Sequence, residues 1–162
     1  MKFRIGQGVD THQLLPSIPL IIGGVSIPYS KGSKGHSDGD VLYHAIVDAM
    51  FGALALGDIG DHFPSNNKRW KNAPSRKFLK YAQSLIKEKR YTTINIDATV
   101  ILQEPCISSY ISEMRENVSH ILSISVDNVS VKATPTDFLG HIGSEEGIAA
   151  IAVALLKKTD GH

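Results

Sequence analysis

The sequence predicts an α/β (α+β) fold, and three observations lead there. Alternating, β-branched stretches recur along the chain. Long apolar patterns at helical spacing lie between them. Glycine and proline punctuate the joins, with no internal repeat, low-complexity tract or linker to divide the chain. At 162 residues the chain can bury a sizeable core, and one domain over 1–162 is expected.

Residues 2–9 read as a strand, and Leu20-Ile21-Ile22 as a second one closed by a Gly23-Gly24 turn. Residues 29–35 form a loop rich in Lys, Gly and Ser. Asp38 or Asp40 caps a helix running to about Leu56, apolar on most sides, and Gly57 ends it. Residues 58–73 are polar and irregular, read as a mobile segment. Pro74 or Ser75 opens a helix with Phe78, Leu79, Ala82, Leu85 and Ile86 on one face. Residues 92–103 alternate as a strand, with Ile94, Ile96, Ala98, Val100 and Leu102 on one side, until Pro105 breaks it. A helix over 107–124, a strand over 128–133 and a closing helix over 145–156 complete the reading; the last shows Ile148, Ile151, Ala152 and Leu155 at helical spacing.

A formal charge of +1 leaves no basic field to attract nucleic acid, and the short patch Lys68-Arg69-Trp70-Lys71 reads as a solvated loop. No apolar run reaches the length of a membrane span. Cys106 is the only cysteine and cannot form an internal disulfide, which suits a reducing compartment. Met1-Lys2-Phe3-Arg4 enters a strand pattern at once, so no leader peptide is expected. A cytoplasmic enzyme is the default, with a processed organellar form as the alternative.

Seven histidines against one cysteine direct metal chemistry to imidazole and carboxylate. Asp10 and His12, two apart on an extended strand, point to one face. His44 lies in the first turns of the apolar helix, where a buried imidazole needs a partner. Two imidazoles and a carboxylate make a three-ligand zinc site with its fourth position free, the arrangement of a catalytic metal. Asp48, one turn after His44, has two readings: support for the imidazole's free N–H, or a carboxylate paired with a nearby base. Asp38 and Asp40 read as helix caps in preference to ligands.

These residues carry a resemblance to a known family. Ile5-Gly6-x-Gly8-x-Asp10-x-His12, Ile22-Gly23-Gly24-Val25-x-Ile27-Pro28, His36-Ser37-Asp38-Gly39-Asp40 and Leu56-Gly57-Asp58-Ile59-Gly60 resemble 2-C-methyl-D-erythritol 2,4-cyclodiphosphate synthases, as do Val131-Lys132-Ala133-Thr134 and Glu146-Gly147-Ile148-Ala149. The resemblance runs from about residue 3 to the last element. It implies a ferredoxin-like sandwich of a mixed sheet and helices, assembled as a homotrimer with active sites between adjacent subunits. It also implies the reaction: a 2-phosphate attacks the β-phosphate of the same molecule's cytidine diphosphate arm, CMP leaves and a cyclic diphosphate forms. Nucleophile and leaving group both belong to the substrate, so the protein supplies positioning and charge.

The resemblance assigns Zn²⁺ to Asp10, His12 and His44, and Mg²⁺ or Mn²⁺ to Asp137 with the substrate phosphates. Asp10 and His12 are implied to bind substrate as well, and phosphate contacts fall to His36 and Ser37, just before a helix start that favours anions. Asp58, Ile59, Gly60, Phe63 and Pro64 are implied around the methylerythritol, with Asp58 gripping a hydroxyl. The nucleotide segment is Leu102, Pro105, Cys106, Ile107 and Ser108, with Ala133 beside it. His36, Thr134 and Thr136 are the implied catalytic groups. His141 and Ser144 fall near the expected trimer axis, where the family often has Phe and Arg.

The chain departs from the family at several of these positions. Thr134-Pro135-Thr136-Asp137 replaces the usual Thr-Thr-Thr-Glu, so position 135 lacks a hydroxyl and an N–H, and Thr134 or Thr136 must supply the phosphate contact. Cys106 replaces a common lysine, and Ser65-Asn66-Asn67 an acidic run. Two rival readings differ in class: a zinc phosphohydrolase on the same scaffold, and a metal-dependent nucleotide or isoprenoid-diphosphate sensor, which Pro135 and Asp137 favour.

Overall fold

In the computed structural model, residues 2–159 are described; Met1 and residues 160–162 of the expected 1–162 unit lie outside them. Among the described residues, seven strands and five α-helices form a mixed α+β arrangement. Strand β1 (Phe3–Pro16) is followed by a hairpin of β2 (Leu20–Ile22) and β3 (Val25–Ile27), then β4 (Lys31–Ser33) and helix α1 (Val41–Ala53). After them come α2 (Ile59–His62), α3 (Arg76–Glu88), β5 (Tyr91–Ile101), α4 (Ile111–Leu122), β6 (Val129–Thr134), α5 (Gly140–Gly143) and β7 (Gly147–Lys158).

The main sheet has the order β4-β1-β7-β5-β6. β1 runs antiparallel to β7 from Phe3 opposite Lys157 to Gln13 opposite Gly147, and β7 is antiparallel to β5. β5 and β6 are the parallel pair, as befits two strands joined through a helix. α1, α3 and α4 cover one face and bury Ile96, Ala98, Val100, Val129 and Val131 together with Leu79, Ile86, Met114 and Leu122.

α1 sits directly on β1. Its residues are buried on almost every side, as its composition predicts, because it lies between the sheet and α3. Glycine makes the close approach possible. A Cβ at Gly8 would strike the Ala45 carbonyl and lie 2.6 Å from the Ala49 nitrogen; one at Gly6 would strike the Ala49 carbonyl and the Ala53 backbone.

Asp40, fully buried, is the N-cap of α1. It accepts N–H groups from Tyr43 (3.1 Å), Gly23 (2.9 Å) and Gly24 (2.7 Å), so it ties the β2–β3 turn to the helix start. Gly23 and Gly24 both take positive φ, at 59° and 73°, which a two-residue hairpin turn requires. Burial pushes the Asp40 carboxyl up to about 6, against the pull of the three N–H groups.

Several expectations need correction. The closing helix over 145–156 is strand β7. Its run of alanines carries both periodicities, and a strand buried in the middle of a sheet shows no polar alternation to betray it. Ile148, Ala150, Ala152, Ala154 and Leu156 face the helices, while Ile151, Val153 and Leu155 are half-buried on the other side. β1 extends past residue 9 to Pro16 because β7 and then β4 hold it by backbone pairing.

The 29–35 loop contains β4, and the helix expected to reach Leu56 stops at Ala53, with Leu54 as its C-cap. At Ile94 a bulge turns β5, so Thr93 takes the buried side and donates to Gln83 (3.1 Å). The 58–73 segment, expected to be irregular, contains α2 and a 3₁₀ turn at Lys68–Trp70. Among the described residues no helix is long and apolar enough to cross a membrane.

Gly8→Ala is expected to lower the urea midpoint by about 3 kcal/mol of stability, since backbone atoms meet the new methyl and cannot rotate away. An unchanged midpoint would show that α1 does not depend on this seat.

Candidate metal centre

Gly8 continues into Asp10 and His12 on the same face of β1, and Ala45 is preceded by His44. The glycine seat thus brings the first turn of α1 over the strand end that carries the other two groups. Asp10 Oδ2 lies 2.9 Å from His12 Nε2 and 3.0 Å from His44 Nδ1, and those nitrogens are 3.2 Å apart. Ligand atoms of a tetrahedral zinc, each about 2.0–2.1 Å from the ion, stand roughly 3.3 Å from one another. The triangle therefore matches a shared cation. Among the described residues these three form the single group of His, Cys, Asp or Glu drawn so close.

The donor chemistry fits a metal as well. His12 Nδ1 lies 2.9 Å from the Lys34 carbonyl, which can only accept, so Nδ1 carries the proton. When His12 is neutral, its bare Nε2 lone pair faces a carboxylate oxygen, a repulsive contact that a shared cation or a second ring proton relieves. Burial opposes ionisation of Asp10. Hydrogen bonds and charge from His12 and His44 outweigh it and hold the carboxyl well below the usual range. Burial likewise opposes protonation of His12, and Asp10 reverses the balance and raises its pKa.

Around the triad lies a cavity of about 250 Å³, lined by His36, Ser37, Ile59, Gly60, Phe63, Ser65, Trp70 and Phe78. Phe63 packs on Phe78 (4.4 Å between ring centres) and edge-on against Trp70 (5.0 Å). His36, Ser37, Ile59, Gly60 and Phe63 thus share one cavity with the triad. Ser65, Trp70 and Phe78 went unread as site residues. Phe78 carried a signal only for helix packing, and the other two lay in a segment without periodicity.

Pro64 and Asp58 do not line this cavity. Asp58 caps α2 by accepting from Asp61 N–H (3.0 Å). Neither reading of Asp48 holds. It accepts from the Ile59 N–H at 2.7 Å and anchors the start of α2 to α1. The second nitrogen of His44 faces Ser75 Oγ (2.9 Å) and Ser37 Oγ (3.1 Å) instead. Asp38 is not the helix cap; it accepts from Ser75 N–H at 3.0 Å.

A second cavity of about 210 Å³ lies at the far edge of the sheet. Leu102, Gln103, Pro105, Cys106, Ile107, Ser108, Ala133, Thr134 and Pro135 line it, so the expected nucleotide segment does close on a pocket. Gln103, not singled out beforehand, accepts from Phe138 N–H (3.0 Å) and holds the loop after β6. Thr134 and Thr136 donate to the Pro135 and Leu139 carbonyls (3.2 and 2.9 Å). Exposed Asp137 stands on that loop, apart from the triad. His141 and Ser144 lie in and after α5, outside both cavities. Asp10, Ala150, Val100 and Ala133 form one row across the sheet, so the cavities stand three strand spacings apart, about 14 Å.

Residues 3–157 match the model of the YgbB family. The 2-C-methyl-D-erythritol 2,4-cyclodiphosphate synthase of Geobacillus sp. (strain WCH70) is 52% identical over 156 residues, covering 96% of this chain and 99% of that protein. The IspF of Plasmodium falciparum in a CDP complex superposes with a TM-score of 0.86 at 39% identity, over 98% of each chain. The bifunctional IspDF of Campylobacter jejuni gives a TM-score of 0.94 at 40% identity over 98% of this chain, which spans 43% of that longer protein.

His44→Ala is expected to abolish stoichiometric zinc binding, read by metal analysis after dialysis, with the circular-dichroism spectrum retained. Full zinc content in that variant would remove His44 from the centre.

Proposed function

The chain belongs to the YgbB family, and on that premise we propose that it converts 4-diphosphocytidyl-2-C-methyl-D-erythritol 2-phosphate to 2-C-methyl-D-erythritol 2,4-cyclodiphosphate and CMP. It would thereby act as a phosphorus–oxygen lyase of non-mevalonate isoprenoid precursor synthesis, in the cytoplasm, through one domain over 1–162. The observation that carries this is the Asp10–His12–His44 triangle opening into a cavity beside His36 and Ser37, in a chain matched along nearly its whole length.

Asp10, His12 and His44 would hold zinc. Bound there, the ion would supply Lewis-acid polarisation of a phosphate oxygen. The remaining work falls to side chains. His36 and Ser37 donate to phosphate oxygens and keep the attacking 2-phosphate in line with the β-phosphorus. Ile59, Gly60 and Phe63 close over the methylerythritol and exclude water, with Asp58 and Pro64 at the rim. Leu102, Pro105, Cys106, Ile107, Ser108 and Ala133 hold the cytidine, largely through backbone groups. Asp137 would carry Mg²⁺ or Mn²⁺ against the diphosphate. Thr134 or Thr136 would steady the leaving phosphate where Pro135 cannot. One new P–O bond forms as the P–O bond to CMP breaks, and no protein nucleophile is required.

The 14 Å between the cavities argues for a homotrimer with active sites between subunits. A neighbour's nucleotide pocket, laid against the metal edge of this chain, would shorten that gap. The sheet face opposite the helices supports the assembly. It carries Phe3, Ile5 (71% exposed) and Val9 on β1, beside Ile151, Val153 and Leu155 of β7, with no helix over them. A monomer rarely leaves so continuous an apolar surface uncovered. His141 and Ser144 would then lie near the axis.

Incubation of the purified protein with this substrate and Mg²⁺, followed by phosphorus NMR, is expected to show the cyclic diphosphate and one equivalent of CMP. Linear phosphates would instead indicate a hydrolase, and no conversion by zinc-loaded protein a binding module. Asp137→Ala should raise the Mg²⁺ or Mn²⁺ concentration needed for half-maximal turnover about tenfold or more, with zinc content unchanged. Parallel loss of zinc would rule out separate sites for the two metals.

A further inference from the structure

We propose that Asp38, acting through Ser75, holds the His44 imidazole with its proton on Nε2 and its Nδ1 free to bind the metal. The inference rests on the zinc reading above and deepens it.

Ser75 is fully buried at the N-cap of α3, where a serine ordinarily turns its hydroxyl onto the helix N–H groups. Here it makes no such cap bond. The Ser75 N–H goes to Asp38 Oδ2 at 3.0 Å, and its hydroxyl has two acceptors in reach, Asp38 Oδ1 and, at 3.2 Å, Ser37 Oγ, of which the carboxylate is the stronger. An ionised carboxylate only accepts, so the hydroxyl proton is committed. What Ser75 Oγ presents to His44 Nε2, 2.9 Å away, is a lone pair. Nε2 must therefore carry the proton, which leaves Nδ1 bare. Nδ1 is the atom that stands 3.0 Å from Asp10 Oδ2 and 3.2 Å from His12 Nε2.

Asp38 is itself held in place. Its N–H donates to the Ala73 carbonyl (3.1 Å), and its Oδ1 also accepts from Asp40 N–H (3.3 Å). Ser37 is the other hydroxyl at Nε2, at 3.1 Å, and its Oγ accepts from Gly39 N–H at 3.2 Å. A neutral hydroxyl does not draw the Ser75 proton from a carboxylate. With the proton on Nε2, Ser37 Oγ faces the imidazole as an acceptor, as Ser75 Oγ does. The two imidazoles are oriented by different means: His12 directly by the Lys34 carbonyl, His44 by a carboxylate one hydroxyl removed.

The test is zinc affinity of the full chain, measured by competition with a chromophoric chelator, for wild type, Ser75→Ala, Asp38→Asn and the double variant. Ser75→Ala should weaken zinc binding about 10–100-fold, the usual cost of losing a group that orients a ligand, and leave the circular-dichroism spectrum unchanged. In Asp38→Asn one acceptor oxygen faces two Ser75 donors, so a similar loss is expected. Because Asp38 acts through Ser75, the double variant should lose no more than Ser75→Ala alone.

Losses that multiply in the double variant, or full affinity in Asp38→Asn, would overturn the proposal. Nitrogen-15 NMR of zinc-loaded wild type adds a readout independent of how the variants fold: His44 should show Nδ1 as the ligand and a slowly exchanging Nε2–H, and the reverse assignment would also overturn it. Failure of the zinc reading itself would look different, as zinc affinity indifferent to His44→Ala.

Discussion

The seat of α1 on β1 is the constraint on which the rest of this structure depends. Helix and strand approach so closely over Gly6 and Gly8 that no side chain fits between them. That contact fixes the height and rotation of the helix at once. His44, adjacent to Ala45, then has one place to go, over the strand end where Asp10 and His12 emerge. The metal triangle is therefore a product of backbone packing rather than of loop geometry, the kind of support that keeps ligands at fixed separation.

A second layer of polar bonds secures what the packing sets. Asp40 binds the helix start to the β2–β3 turn through three N–H groups, and Asp48 binds the start of α2 to the middle of the same helix. α1 thus serves as the post from which the metal ligand, the hairpin and the cavity's α2 segment are all hung. Both carboxylates are shifted upward by burial, which marks the cost of placing acids inside a helical layer. Backbone N–H groups offset that cost without introducing counter-charges that would compete for a phosphate.

What the sequence revealed and what it hid follow from the range of the interactions. Asp10 and His12 were legible because two-residue spacing on a strand fixes their common face, and His44 because an imidazole among apolar helix residues needs a partner. The segment at Leu102–Ser108 was marked only by its family resemblance; Pro105 by itself signalled no more than the end of a strand. Strand β7 was not, because an alanine-rich segment apolar on both faces satisfies helical and extended patterns alike. The Ser75–Asp38 contact was hidden for another reason. It joins residues 37 apart, and each had an adequate local explanation as a helix cap. The Lys34 carbonyl that orients His12 is a backbone atom and leaves no trace in residue identity.

The pairing of β1 with β7 has a consequence in time. The strand carrying Asp10 and His12 is held along eleven residues, Phe3 to Gln13 against Gly147 to Lys157, by a strand made more than a hundred residues later. At about 5–20 residues per second, a ribosome takes several seconds to cover that distance. Until then α1 has no sheet to sit on, and the three metal-facing groups are parts of a nascent chain that lacks their common frame. Sheet closure is a long-range event, slow by the entropy of joining distant segments. A cation shared by these groups would find its frame only once β7 is paired.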